Sequence, residues 1–154
     1  MNKIAFYINA LNADDILRDV DQGSSGRASG CNSQLARLDI SSGSIYTVSR
    51  CSNSRNAWEQ IIQIYDWNYV IPEEEREFLD PDWNKIKADY PELLNSELKL
   101  GCNCPAWVYQ GYQYIGTELD YVLEPEHRFP EIRNPDLEGT CCKHLIATLR
   151  TFFV

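Results

Sequence analysis

The strongest constraint on this chain is a split pair of short motifs in its C-terminal third. Gly101-Cys102-Asn103-Cys104-Pro105 supplies Cys-x-Cys, and Thr140-Cys141-Cys142-Lys143-His144-Leu145 supplies Cys-x-His. Two closely spaced pairs of soft or borderline donors are what a tetrahedral zinc ion needs. Any fold must then bring the pairs together across the 37 residues of 105–141. Residues i and i+2 of a strand share a face, so an extended 98–104 lets Cys102 and Cys104 grip one ion. Pro105 lacks an amide donor and ends that strand. The competing expectation is that these are ordinary buried cysteines or disulfide partners.

The second pair leaves one ligand open. Thr140 is placed to cap a helix running to Phe152, with Leu145, Ile146, Leu149 and Phe153 as its apolar stripe. Thiolates in its first turn gain from the helix dipole. In a full helix, positions 142 and 144 diverge by about 200°, whereas Cys141 and His144 at i, i+3 share a face. Cys142 and His144 converge only if the helix has barely begun at Cys142. Cys141 therefore stands as the alternative to Cys142. If Cys141 joins Cys102, Cys104 and Cys142, an iron–sulfur cluster becomes the alternative to Zn2+.

The rest of the chain reads as α+β: a small antiparallel sheet of hairpins, several helices, and a zinc-clamped strand–insert–helix lobe at the C-terminal end. At 154 residues with 44% hydrophobic content, we expect one domain, 1–154, with an N-terminal α+β part over 1–96 and the metal-binding lobe over 97–154. Residues 3–8 form an apolar run of strand type, and Asn12 caps a helix with Asp14 and Asp15 in its first turn. The Gly- and Ser-rich stretch 22–30 reads as a plain loop. Residues 33–40 and 44–51 read as a hairpin turned by Ser41-Ser42-Gly43. Its open end brings Cys31 and Cys51 near one another; a thiol pair is conceivable there, and two separately packed cysteines are the expectation.

Trp58, Ile61, Ile62 and Tyr65 recur at helical spacing, so 53–66 is expected to be a helix with these side chains in the core. Residues 67–72 read as an extended connection. The acidic run at 73–77 opens a short helix and presents a solvated face, since no calcium loop surrounds it. A helical or turn-rich segment at 82–94 breaks before Pro91, and the alternation of 97–102 predicts a half-buried strand.

The insert begins with an aromatic run in which Trp107, Tyr109, Tyr112 and Tyr114 are the candidates for an interface. Aromatics also stack bases, but that role comes with a cationic groove, and 106–115 contains no Lys or Arg. His127 has no nucleophile beside it in sequence and reads as an exposed or structural histidine. Arg133 reads equally as a staple of loop carbonyls or as a plain surface side chain.

Charge narrows the partners. The net charge is −9, with 23 acidic against 14 basic residues, which disfavours a nucleic-acid backbone or an anionic membrane surface. No stretch approaches the ~18–20 apolar residues of a membrane span, and the first residues do not read as a secretory signal. Synthesis in a reducing cytosol is expected, where clustered cysteines bind metal more often than they cross-link.

Cys102-Asn103-Cys104-Pro105 with Cys142-Lys143-His144-Leu145 resembles the SWIM zinc-binding motif, Cys-x-Cys, spacer, Cys-x-His. The resemblance implies Cys102, Cys104, Cys142 and His144 as ligands, a hairpin carrying the first pair and a helix starting at the second. The 37-residue insert is longer than the family's usual spacer. With Ile132-Arg133-Asn134-Pro135 and Gly139 added, the stretch is similar to the small SWIM-like proteins of tailed bacteriophages. That likeness implies a virion protein, made in the host cytoplasm, which contacts other virion proteins in the tail, baseplate or neck. The alternative it implies is a nucleic-acid-binding or DNA-processing accessory. An enzyme is not expected, because four protein ligands close a zinc site that catalysis would leave open to water.

Overall fold

The computed structural model describes residues 11–52 and 54–154, so the apolar run at 3–8 lies outside the described residues. Four strands form one antiparallel sheet in the order β1-β2-β3-β4: β1 Cys31–Asp39, β2 Ser44–Cys51, β3 Ala57–Ile64 and β4 Leu98–Cys102. Helix α8, Lys143–Phe152, lies across one face of this sheet.

Strand alternation explains that face. Ile45, Ile62 and Leu100 lie side by side in register, with Ile64 beside Leu98, and all five are buried in the core. From α8, Leu145, Ile146 and Leu149 meet them, each fully buried. Burying such a side chain contributes about 1.5–3 kcal/mol, so this layer is the main apolar support of the fold. Toward Cys102 the same face turns polar: Thr47, Ser49 and Gln60 are buried there.

The hairpin β1–β2 forms at the expected place, with Gly43 at φ 71° in its turn. A side chain at Gly43 would collide with the Trp67 ring, which packs over the turn and donates from Nε1 to the Ile40 carbonyl at 2.7 Å. Cys31 and Cys51 are opposite one another in the register and are disulfide-bonded, where two separate cysteines were expected. The pairing of first and last hairpin residues brings their side chains into reach.

Three further segments differ from the sequence expectations. Within 53–66, where a helix was expected, Ala57–Ile64 form strand β3. The spacing of Trp58, Ile61 and Ile62 misled because β3 is an inner strand with apolar residues on both faces: Ile62 and Ile64 face α8, while Ile61 lines a trough on the opposite face. The expected loop at 22–30 contains helix α2, Gln22–Ala28, capped by the Asp21 carboxylate accepting from Ser24 N at 2.9 Å. Tertiary contacts overcome its Gly and Ser content: Ser24 and Tyr112 share a hydroxyl hydrogen bond at 2.8 Å, and Arg150 Nη2 donates to Ser25 Oγ at 2.6 Å. The expected extended connection at 67–72 contains a short helix, α3 Trp67–Val70, held by the burial of Trp67.

Elsewhere the patterns hold. Helix α1, Ala13–Arg18, has Asn12 and Asp15 in a reciprocal capping box. Helix α4, Glu73–Arg76, carries three acids in its first turn. Helix α5, Trp83–Asp89, ends before a 3-10 turn at Pro91–Asn95. The insert folds into α6, Pro105–Tyr109, and α7, Tyr112–Leu119, separated by Gly111 at φ 79°. Among the described residues no helix is long and apolar enough to cross a membrane.

Candidate metal centre

Cys102 is the last residue of β4, and Cys104 is the residue from which α6 starts. Between them, Asn103 takes over where the ladder stops. Its N–H donates to the Glu59 carbonyl at 3.1 Å, and its side-chain oxygen accepts from Glu59 N at 2.7 Å. Pro105 then begins α6 in a position where no amide hydrogen is needed. The two thiols are thus presented by a knuckle pinned to β3 rather than by a continued strand.

The second pair is settled by where α8 begins. Cys142 is its N-cap, still extended at φ −68° and ψ 163°, and His144 is the second helical residue. This is the condition under which positions 142 and 144 converge. Thr140 does not cap the helix as expected; its hydroxyl donates to the Ile16 carbonyl at 2.7 Å.

One donor atom each from Cys102, Cys104, Cys142 and His144 lies within 4.8 Å of the others, and these four could hold a metal ion. Donors of a tetrahedral zinc stand about 3.6–3.8 Å apart, given bond lengths of about 2.0–2.3 Å, so only a small contraction separates this arrangement from a bound one. Cys141 is not in the group; it is fully buried in the core and behaves there as a small apolar residue. A four-cysteine set including Cys141 is therefore not what the fold assembles.

His144 supplies an independent test of fit. Its residue is 3% exposed, and neither ring nitrogen has a hydrogen-bond partner. Leaving one buried polar atom unsatisfied costs about 1–3 kcal/mol, and here both nitrogens of one ring are unpaired, with the Trp58 ring 6.3 Å away. A metal bond would satisfy one of them.

The thiols interact strongly. Hydrogen bonds from Cys102 and Cys142 hold Cys104 far toward its thiolate form. The shared bond with Cys104 pushes the Cys102 thiol up, and burial pushes Cys142 up. Three sulfurs sharing hydrogen bonds at one point are a cation-attracting arrangement, and a metal would replace their protons.

The interface candidates divide. Trp107 and Tyr112 are buried, 2% and 5% exposed, and serve the core rather than a surface. Tyr109 is 64% exposed, and Tyr114 is half-buried edge-on to Phe129 at 5.5 Å. His127 is exposed. Arg133 is an exposed surface side chain; the loop staple is its neighbour Asn134, whose Nδ2 donates to the Gln110 and Glu138 carbonyls at 2.8 and 2.9 Å. Sequence reasoning passed over Asn103, Gln60 and Tyr121, all of which support the centre. Only the register of β3 against β4 reveals the first two.

Comparison with protein-family models, with characterised proteins and with solved structures finds no match to this chain.

Proposed function

We propose that this protein is a non-enzymatic, zinc-stabilised structural component of a phage particle, acting in the tail, baseplate or neck through contacts with other virion proteins. The observation that carries the metal part is the Cys3His set, buried except for the half-buried Cys102, with an unpartnered His144. Three thiolates and one imidazole suit zinc, and four protein donors leave no open position for a reacting water. The ion would tie the end of β4 to the start of α8, closing the insert between them.

The structural role draws support from the surface. Ile132 is 92% and Tyr109 64% exposed on the insert, and Tyr69 and Phe78 are 91% and 85% exposed elsewhere, as suits a protein covered by neighbours. The net charge of −9 favours protein partners over a phosphate backbone. The Cys31–Cys51 disulfide suits a protein that leaves the reducing interior of a cell, as a released particle does. The phage setting itself rests on the sequence likeness to small SWIM-like phage proteins.

Elemental analysis of the purified protein should return one zinc per chain, and purified particles should contain the chain. A metal-free protein would overturn the zinc reading. Salt-sensitive retention on a DNA column, with absence from particles, would overturn the structural role in favour of the nucleic-acid accessory.

A further inference from the structure

Gln60 sits in the middle of β3 on the face covered by α8, and it is fully buried. A carboxamide in such a place must satisfy both of its ends. Its oxygen accepts from Ser49 Oγ at 2.7 Å and Thr47 Oγ1 at 2.9 Å. Its nitrogen donates to the Trp58 carbonyl at 2.8 Å and to Cys102 Sγ at 3.6 Å. These partners fix which end is which. Rotated by half a turn, the amide would press its oxygen against a carbonyl and a sulfur that offer it no strong donor.

We infer that Gln60 is a positioning residue for the metal centre, donating an N–H···S hydrogen bond to the Cys102 thiolate and holding that ligand in place. The inference rests on the reading of the four residues as metal donors. Cys102 is the ligand in most need of support: it is half-buried at a strand end, whereas Cys104, Cys142 and His144 are buried. An N–H directed at sulfur stabilises the thiolate over the thiol and draws charge away from the metal–sulfur bond. The same network reaches the other side of the centre. Thr148, 3.3 Å from Thr47 Oγ1, donates to the His144 carbonyl at 2.9 Å and accepts from Ser33 Oγ at 2.7 Å, so buried hydroxyls lie against both ligand-bearing elements. A run of buried hydroxyls within an apolar face is costly unless every member is satisfied, and this run ends at a ligand sulfur.

The test compares wild type with Gln60→Glu and Ser49→Ala, each loaded with cobalt(II) and then titrated with zinc against a chelating dye. Glu keeps the shape and the accepting oxygen and, with the titrations run at alkaline pH so that the buried carboxyl is ionised, cannot donate to sulfur. Its zinc affinity should fall about 10- to 100-fold, and its thiolate-to-cobalt absorption should move to lower energy. Ser49→Ala trims the network yet leaves the donor, so its absorption should stay at the wild-type position. A metal-replete Gln60→Glu with unchanged absorption and affinity within about twofold would overturn the role of Gln60 alone. A wild type that takes up no metal would overturn the metal reading and this inference together. If Gln60→Glu does not fold, wild type loaded with an NMR-active cadmium isotope decides: the Gln60 side-chain amide proton should show scalar coupling to the metal, and absence of that coupling overturns the inference.

Discussion

The hydroxyl of Tyr121 donates to the carbonyl oxygen of Thr140 at 2.7 Å, and Tyr121 is fully buried. This single bond ties the middle of the insert to the residue two positions before Cys142. Tyr121 is itself seated against Gly116, where no side chain would fit beside its ring. Tyr121→Phe leaves the Thr140 carbonyl unpaired in the interior, a loss of about 1–3 kcal/mol. Denaturant unfolding should show that loss, and metal release to a chelator should be faster than in wild type.

Cys104→Ser should lose stoichiometric metal, and the stretch 105–140 should become a site of proteolysis. Cys141→Ser should keep one metal per chain, because Cys141 is packed in the core and stands outside the donor group. Elemental analysis and limited proteolysis of the two variants side by side check both statements. Equal metal loss in both would refute the separation of their roles.

The disulfide and the metal centre should be separable. Cys31 and Cys51 are 20 residues apart in sequence, and closing a loop of that length restricts the unfolded chain by about 3 kcal/mol. Replacing both by Ser should lower the unfolding free energy by that order while metal content is retained. Thermal melts with matched elemental analysis report the two quantities independently.

Acid should release the metal. Cys and His ligands bind it deprotonated, so the metal-free state takes up protons that the loaded state cannot. Affinity therefore falls as pH falls. A pH series of chelator competitions should show this steadily, with no rise in affinity on the acid side.

Glu126 offers a second pH readout away from the metal. The Arg128 guanidinium, 2.7 Å from its carboxylate, holds its pKa down to about 2. A depressed carboxylate pKa stabilises the fold above the ordinary carboxylate range and loses that contribution as pH falls through about 2. NMR titration of the Glu126 side-chain carbon should give a midpoint near that value, and Arg128→Ala should raise it.

What the sequence made legible was local. The α1 capping box, the β1–β2 hairpin and the alternating β4 each carry their signal within a few residues. The two candidate donor pairs could be picked out for the same reason, since each is contiguous. The choice between Cys141 and Cys142 could not be made, because it turns on whether α8 starts at one residue or the next. Strand β3 was misread because burial on both faces erases the alternation that marks a strand. Helix α2 was missed because its stability comes from Tyr112 and Arg150, which lie far along the chain.

The Cys31–Cys51 bond and the thiolate cluster make opposite demands on their surroundings. One exists only after electrons have been removed, and the other binds its ion only while its sulfurs remain reduced. A nascent chain that met oxidant first would have six thiols open to mispairing. If the four donors take up an ion, maturation would have a direction in time: the ion would enter while the chain is reduced and shield three sulfurs, and the hairpin would be locked afterwards.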